Sequence, residues 1–188
     1  MIKQLPSILE FLRQAEQLKD TLRTTWTSSG RQESTAEHTW RLCLLAMLVS
    51  KHYPHLNSER ILKLCIVHDI AEAISGDISA IEQHAGLDKS AIEMRDLKIL
   101  IAPLTQDLQN EMLELWLEYD QALSEEAKLT KALDKLETIL QHTQGKNPEN
   151  FDYEFNLTYG NKQTEFDELT YTLRLLVDKD TAKLANNS

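Results

Sequence analysis

His68 and Asp69 stand side by side, directly on the apolar run Leu62-Lys63-Leu64-Cys65-Ile66-Val67. An imidazole and a carboxylate among apolar side chains are costly to desolvate, so something must compensate them. One compensation is mutual, a buried His–Asp pair that satisfies itself; the other is a cation or a reacting group. Glu72 follows His68 by four residues and Asp69 by three, which on a helix puts all three groups on one face. His38 falls in the first turn of the preceding helix, and two sequential helices joined by a short turn pack antiparallel, bringing His38 toward residues 68–72. Asp134, in Ala132-Leu133-Asp134-Lys135-Leu136, borders an apolar stripe of Leu129, Leu133, Leu136 and Leu140. Two imidazoles and two carboxylates form a mixed nitrogen and oxygen set suited to one Mn, Fe, Co, Ni, Zn or Mg ion. No local spacing rule ties His38 and Asp134 to the pair, so spacing alone leaves the structural pair and the metal site both open.

The elements that must position these groups read as helices. Residues 5–19 carry Leu5, Ile8, Leu9, Leu12, Ala15 and Leu18 at helical spacing, and the polar stretch 20–33, with an isolated Trp26, reads as an ordered loop. Ser34-Thr35-Ala36-Glu37 is a capping box that starts a helix running to about His52. A second, very apolar helix follows Asn57-Ser58, extends through Ile74 and ends at Gly76. Further helices are expected at 88–101, 106–121, 125–143 and 163–179. Residues 145–161 are long for a structureless connection, and their four aromatic residues predict packing on the body near a site or a subunit interface.

The chain has 188 residues, 41% of them hydrophobic, with 5 Gly and 4 Pro, which suits a single all-α domain over 1–188 with the helix 163–179 packed on it. A net charge of -10 argues against a nucleic-acid partner, since the surface repels a polyanion. A small phosphate ester stays compatible, because a cation and an arginine reverse the field inside a pocket. Cys43 and Cys65 sit in apolar helical patterns and read as core residues of a cytoplasmic protein, with no leader and no membrane span. His52, His55, His84 and His142 have no ligand-like partner and read as loop or surface imidazoles.

The order His, His-Asp, distant Asp, in "AEHTWRL", "HDIAEAISGD" and "ALDKLETILQ", resembles the HD-domain superfamily of metal-dependent phosphohydrolases. Within it, the chain is similar to the branch that holds the bacterial 5'-deoxynucleotidases and HD domain-containing protein 2, over about residues 20–145. The resemblance implies an HD-type helical bundle with His38, His68, Asp69 and Asp134 as ligands of one divalent cation. It places Glu72 on the acidic residue that handles the attacking water and Asp77 on a second acidic residue beside the substrate. Arg23-Thr24-Thr25-Trp26 resembles the Arg and Trp segment that contacts phosphate and nucleoside, although the stretch from Trp26 to His38 is shortened, making Arg31 a second candidate. Trp26 is either a base-stacking residue or a lid anchor. Lys135 and Glu137 either support the ligand Asp134 or face solvent. The implied activity is hydrolysis of 5'-deoxyribonucleoside monophosphates; the alternatives are another nucleotide, cyclic or polyphosphorylated, and a metal-bound nucleotide sensor without turnover. The family and the apolar stripes of the last helices both point to a homodimer.

Overall fold

A computed structural model describes residues 4–78 and 88–186. His84 lies outside the described residues. Helix α1 (Leu5–Ala15), with proline in its first turn, runs into a 3-10 turn, Glu16–Lys19. The stretch expected as a loop is instead a hairpin of β1 (Leu22–Trp26) and β2 (Gln32–Ser34), antiparallel, with Leu22 opposite Ser34 and Trp26 opposite Gln32. The reason is a period-two burial: Arg23 and Thr25 point inward while Leu22 and Thr24 face out. Gly30, at φ 87°, supplies the left-handed residue that its turn needs.

Helix α2 (Thr35–Val49) starts at the capping box read from the sequence, with Ser34 and Glu37 each closing on the other's backbone. Helix α3 (Ser58–Val67) is capped by Asn57 and stops earlier than its apolar pattern suggests. From His68 to Ala71 the chain makes tight turns, and the amides of Ile70 and Glu72 reach only three residues back, to Val67 and Asp69. The Cys65 carbonyl, which the Asp69 amide would take in a continuous helix, accepts the His68 Nδ1 proton at 2.7 Å instead. A short α4 (Glu72–Ser75) then ends at Gly76, φ 86°.

Helices α5 (Lys89–Ile101), α6 (Gln106–Asp120) and α7 (Glu125–Gln144) follow, the first and third capped by Asp88 and Ser124. Two single turns, α8 (Tyr153–Asn156) and α9 (Asn161–Thr164), occupy the long connection and its end. The last helix, α10 (Glu168–Ala185), starts later and runs further than expected, because Asp167 and Thr170 form a second reciprocal cap. The hydrophobic interior has two parts that meet at α3. Leu64 and Val67 pack with Leu97, Leu100, Leu115 and Trp116 of α5 and α6. Ile61 and Cys65 pack with Leu42 and Ala46 of α2 and with Leu129 and Leu133 of α7. Helix α3 is thus clamped from both sides, and its C-terminal end, where His68 and Asp69 sit, is fixed by packing. Among the described residues no helix is long and apolar enough to cross a membrane.

Candidate active site

The side chains of α2, the end of α3 and α7 converge. His38 is fully buried, and its Nε2 lies 3.2 Å from Asp134 Oδ1 and 3.9 Å from Asp69 Oδ2. His68 Nε2 lies 2.9 Å from Asp69 Oδ2 and 4.0 Å from Asp134 Oδ1. Four donors from three elements therefore face one another, and among the described residues His38, His68 and Asp69 form a group whose donor atoms lie within 4.8 Å of each other. Neither Nε2 makes a hydrogen bond, although both are buried. The Nδ1 atoms are engaged: a carbonyl only accepts, so His68 Nδ1 carries the proton that goes to Cys65, and Glu137 takes His38 Nδ1. Each ring thus turns its Nε2 toward the carboxylates, the orientation that a metal-binding imidazole needs.

Ionisation at the cluster favours positive charge at its centre. Burial and the Arg23 charge oppose protonation of His38, yet Glu137 and Asp134 push its imidazole up to about 9. Burial opposes ionisation of Asp69 and Asp134 as well; His68 beside the first, and Lys135 with both histidines beside the second, hold the carboxyls below the usual range. Buried unpaired nitrogens, ionised oxygens and a demand for a cation fit a divalent metal ion. A second group, Glu33, His38 and Glu137, fits one less well, because guanidinium groups already serve it. Arg41 Nε sits 2.5 Å from Glu137 and Arg23 Nε 3.6 Å from Glu33.

Lys135 and Glu137 both face the cluster: Lys135 Nζ is 2.9 Å from Asp134 Oδ2, and Glu137 is buried on His38. Glu72 opens α4, almost fully buried, with its Oε2 accepting from the Thr35 hydroxyl at 2.9 Å. Burial first, then repulsion by Asp69 and Asp77, push its carboxyl up to about 9, against the pull of Lys89 at 3.9 Å and of Arg23. Without a cation this carboxyl therefore keeps its proton at neutral pH; a dication beside Asp69 would favour the ionised form, and that carboxylate, facing the same space as the cluster, is placed to accept a proton.

A cavity of about 570 Å³ opens over this floor, lined by His68, Asp69, Glu72, Asp77 and Asp134 and also by Arg23, Trp26, Lys89, Lys131 and Lys135. Arg23, buried on β1, reaches Asp69 at 3.5 Å and donates to Thr138 at 3.2 Å, while its Nε has no hydrogen-bond partner. Trp26 is half-buried and lines the cavity. Arg31 does not join them: it sits exposed near the hairpin turn, pairs with Glu37 at 2.5 Å and is not among the lining residues. His142 departs from its expected surface place; it is buried on α7, lines the cavity and bonds Asn156 at 2.8 Å. His52 and His55 are exposed, as expected.

Several groups of the site carry no mark in the sequence. Tyr119, from α6, donates to Asp134 at 2.9 Å, and Thr35 and Lys89 reach Glu72 from α2 and α5. Tyr119 is one buried aromatic on an amphipathic helix, and nothing in its neighbours separates it from a core residue. Residues 145–161 do pack on the body, and Pro148, Phe151, Phe155 and Tyr159 form part of the cavity wall.

An HD-domain family model matches residues 15–174. The chain is 39% identical over 146 residues to the 5'-deoxynucleotidase HDDC2 of Bos taurus, covering 77% of this chain and 70% of that protein. It is 41% identical over 141 residues to the 5'-deoxynucleotidase hdd1 of Schizosaccharomyces pombe, covering 72% and 70%. The crystal structure of a predicted metal-dependent phosphohydrolase from Magnetospirillum magnetotacticum MS-1 matches with a TM-score of 0.83 at 25% identity, over 97% of this chain and 95% of that one. The chain belongs to the HD-domain family, and with it to the metal-dependent phosphohydrolases.

Proposed function

We propose that this protein hydrolyses 5'-deoxyribonucleoside monophosphates to nucleoside and phosphate, with His38, His68, Asp69 and Asp134 holding one divalent cation. The observation that carries the reading is the pair of buried, unpartnered Nε2 atoms facing Asp69 and Asp134 beneath a substrate-sized cavity. The deoxynucleotide substrate follows from the similarity to proteins named 5'-deoxynucleotidases.

A divalent cation held there supplies Lewis acidity to a phosphoryl oxygen and makes water easier to deprotonate. Glu72 takes the proton of the attacking water as its oxygen bonds to phosphorus. The bond from phosphorus to the 5'-oxygen breaks, and the proton passes to that oxygen, which leaves as the nucleoside hydroxyl. Arg23 balances phosphate charge that Asp69 and Asp134 leave uncompensated. Asp77, which lines the cavity just after Gly76, accepts a hydrogen bond from the sugar side. Thr35 and Lys89 hold Glu72 in place from two helices.

A homodimer belongs to the same reading, supported by Trp40, Leu44, Met47 and Leu48 exposed along one side of α2; light scattering tests it. A reducing cytoplasm suits the free Cys43 and Cys65. The activity is tested by phosphate release from deoxyribo- and ribonucleoside monophosphates after chelation and re-addition of Mn, Co, Mg or Zn one at a time. Metal-restored release confined to the deoxyribonucleotides is expected. Release from cyclic or polyphosphorylated nucleotides alone would replace the substrate, and a metal-dependent rise in Tm with no turnover would replace the enzyme by a sensor.

A further inference from the structure

The cavity has a second lining. Trp26, Phe151, Phe155 and Tyr159, all half-buried, share it with the carboxylates of the floor. Phe155 stacks on Tyr159 at 5.2 Å and 27°, and the Lys135 ammonium sits 5.2 Å from the Tyr159 centroid, so that ring is already served. Phe151 differs. Its three ring neighbours, Trp26, His142 and Tyr153, meet it at 87°, 68° and 60°, and none is stacked on it. A half-buried phenyl ring on a cavity wall, with no parallel partner, offers a face to a flat ligand.

The segment carrying this ring is built as a fixed wall. Arg174, almost fully buried on α10, donates to the carbonyls of Asn156 and Tyr159 at 2.7 Å each and to Thr164 at 3.3 Å, and pairs with Asp178 at 2.7 Å. Asn147 ties the start of the segment to the His142 carbonyl at 2.6 Å and to the Tyr153 hydroxyl at 3.0 Å. The hairpin that carries Arg23 and Trp26 docks on the same segment. The Lys146 amide donates to Thr27 at 3.0 Å and Gln141 to the Trp26 carbonyl at 2.6 Å. Gly145 packs so closely that a Cβ there would stand 2.3 Å from the Trp26 carbonyl oxygen.

Resting on the phosphomonoesterase reading above, we infer that Phe151 stacks on the nucleobase of the substrate, with Trp26 edge-on beside it, and that Arg174 is the positioning residue for this wall. Asp69, Glu72 and Asp77 line the same cavity as Phe151, so a base stacked there shares one space with the acidic floor, and any of the common bases offers the required flat face. The seat therefore selects for the presence of a base, and only weakly for its identity.

The test compares dTMP and dAMP with 2-deoxyribose 5-phosphate, which keeps sugar and phosphate but lacks the base, on the full-length, cobalt-loaded protein. Phe151→Leu preserves apolar bulk and Phe151→Tyr preserves the ring. We expect F151L to raise KM for both nucleotides roughly tenfold or more, with kcat little changed. Base-free ester hydrolysis should stay at the wild-type value, Tm should fall only modestly as the ring contacts with Trp26, His142 and Tyr153 are lost, and F151Y should behave as wild type. Arg174→Met should copy the KM effect, and Arg174→Lys should restore part of it. If F151L treats nucleotides and the base-free ester alike, or Leu serves as well as Tyr, the stacking role is overturned while the enzymatic reading stands. Wild-type protein inert toward all three esters would overturn that reading, and this inference with it.

Discussion

The floor and the roof of the cavity are built on opposite principles. The floor draws His38, His68, Asp69 and Asp134 from α2, the end of α3 and α7, elements clamped by the hydrophobic interior, and its carboxylates lie beside Lys135 and two imidazoles whose Nε2 atoms make no hydrogen bond. The roof, a two-stranded hairpin plus residues 145–161 with their single helical turns, is held by side chains that reach backbone, namely Gln141, Asn147 and Arg174. On the proposed reading, chemistry that needs sub-ångström placement would sit on packed helices, and recognition on segments whose sequence can change without moving a metal ligand. Damage to the floor should therefore abolish turnover, and damage to the roof that leaves Arg23 in place should alter mainly affinity.

The largest effect is expected from removing one of the proposed metal ligands of the floor. Asp69→Ala or His68→Ala should lower turnover by roughly three orders of magnitude, and chelation of the wild type should match it. Calorimetric titration with Mn or Co should show binding lost in both variants; retained binding with full activity would remove Asp69 and His68 from the metal site.

Glu72 separates catalysis from stability within the floor. Glu72→Gln should cut kcat by roughly a hundredfold or more while leaving metal binding intact. The same variant should be the more stable protein when metal-free. The folded-state carboxyl holds its proton up to about 9, whereas an unfolded glutamate releases it near 4.5. The folded form thus binds more protons across that window, and wild-type stability falls as pH rises through it. Glutamine carries no such penalty, so the Tm advantage of E72Q should widen from pH 5 to pH 9. An advantage that stays constant with pH would contradict the assignment of a buried, protonated carboxyl.

At the roof, Gly145→Ala should undock the hairpin, since its new methyl meets the Trp26 carbonyl, a backbone atom that cannot swing aside. KM for nucleotides is expected to rise several-fold with kcat within a factor of about two, and Tm to fall modestly. A fall in kcat equal to the rise in KM would mean that the hairpin also shapes the floor.

The sequence made the floor more legible than the roof, for physical reasons. His68 and Asp69 stand out because charge beside an apolar run demands an explanation, and Ser34 and Glu37 mark the start of α2 through a local capping rule. What escaped reading depends on bonds between distant residues. The end of α3 at Val67 is decided by one ring nitrogen taking the Cys65 carbonyl, which no periodicity records. The hairpin hides in a Thr-rich polar stretch because its two strands are short and only one face is buried. Arg31 has the charge for a phosphate and the wrong neighbour, Glu37, which helix capping had already placed within reach. His142 looked like a surface imidazole because its partner, Asn156, lies in a segment with no pattern at all.

That buried imidazole supplies the finest test of the contrast. His142 sits between the two regions, on α7 of the floor but against Phe151 and Asn156 of the roof. Burial lowers its proton affinity to about 4, with Arg23 adding to the effect and Asn156 and Glu137 opposing it. Above the ordinary histidine value of about 6.5 the ring is neutral folded or unfolded, and its titration costs nothing. As pH falls from there toward 4 the unfolded chain takes up a proton that the folded one refuses, so stability is lost progressively, by roughly 3 kcal/mol at the lower limit. The strain falls on the roof, where the packing against Phe151 and the bond to Asn156 have to open to admit the charge. Hydrogen exchange at pH 5 should show residues 145–161 losing protection before α2 and α3 do, and His142→Gln should remove most of that acid sensitivity. If all three regions lose protection together, the roof is not the separable layer that its irregular backbone indicates.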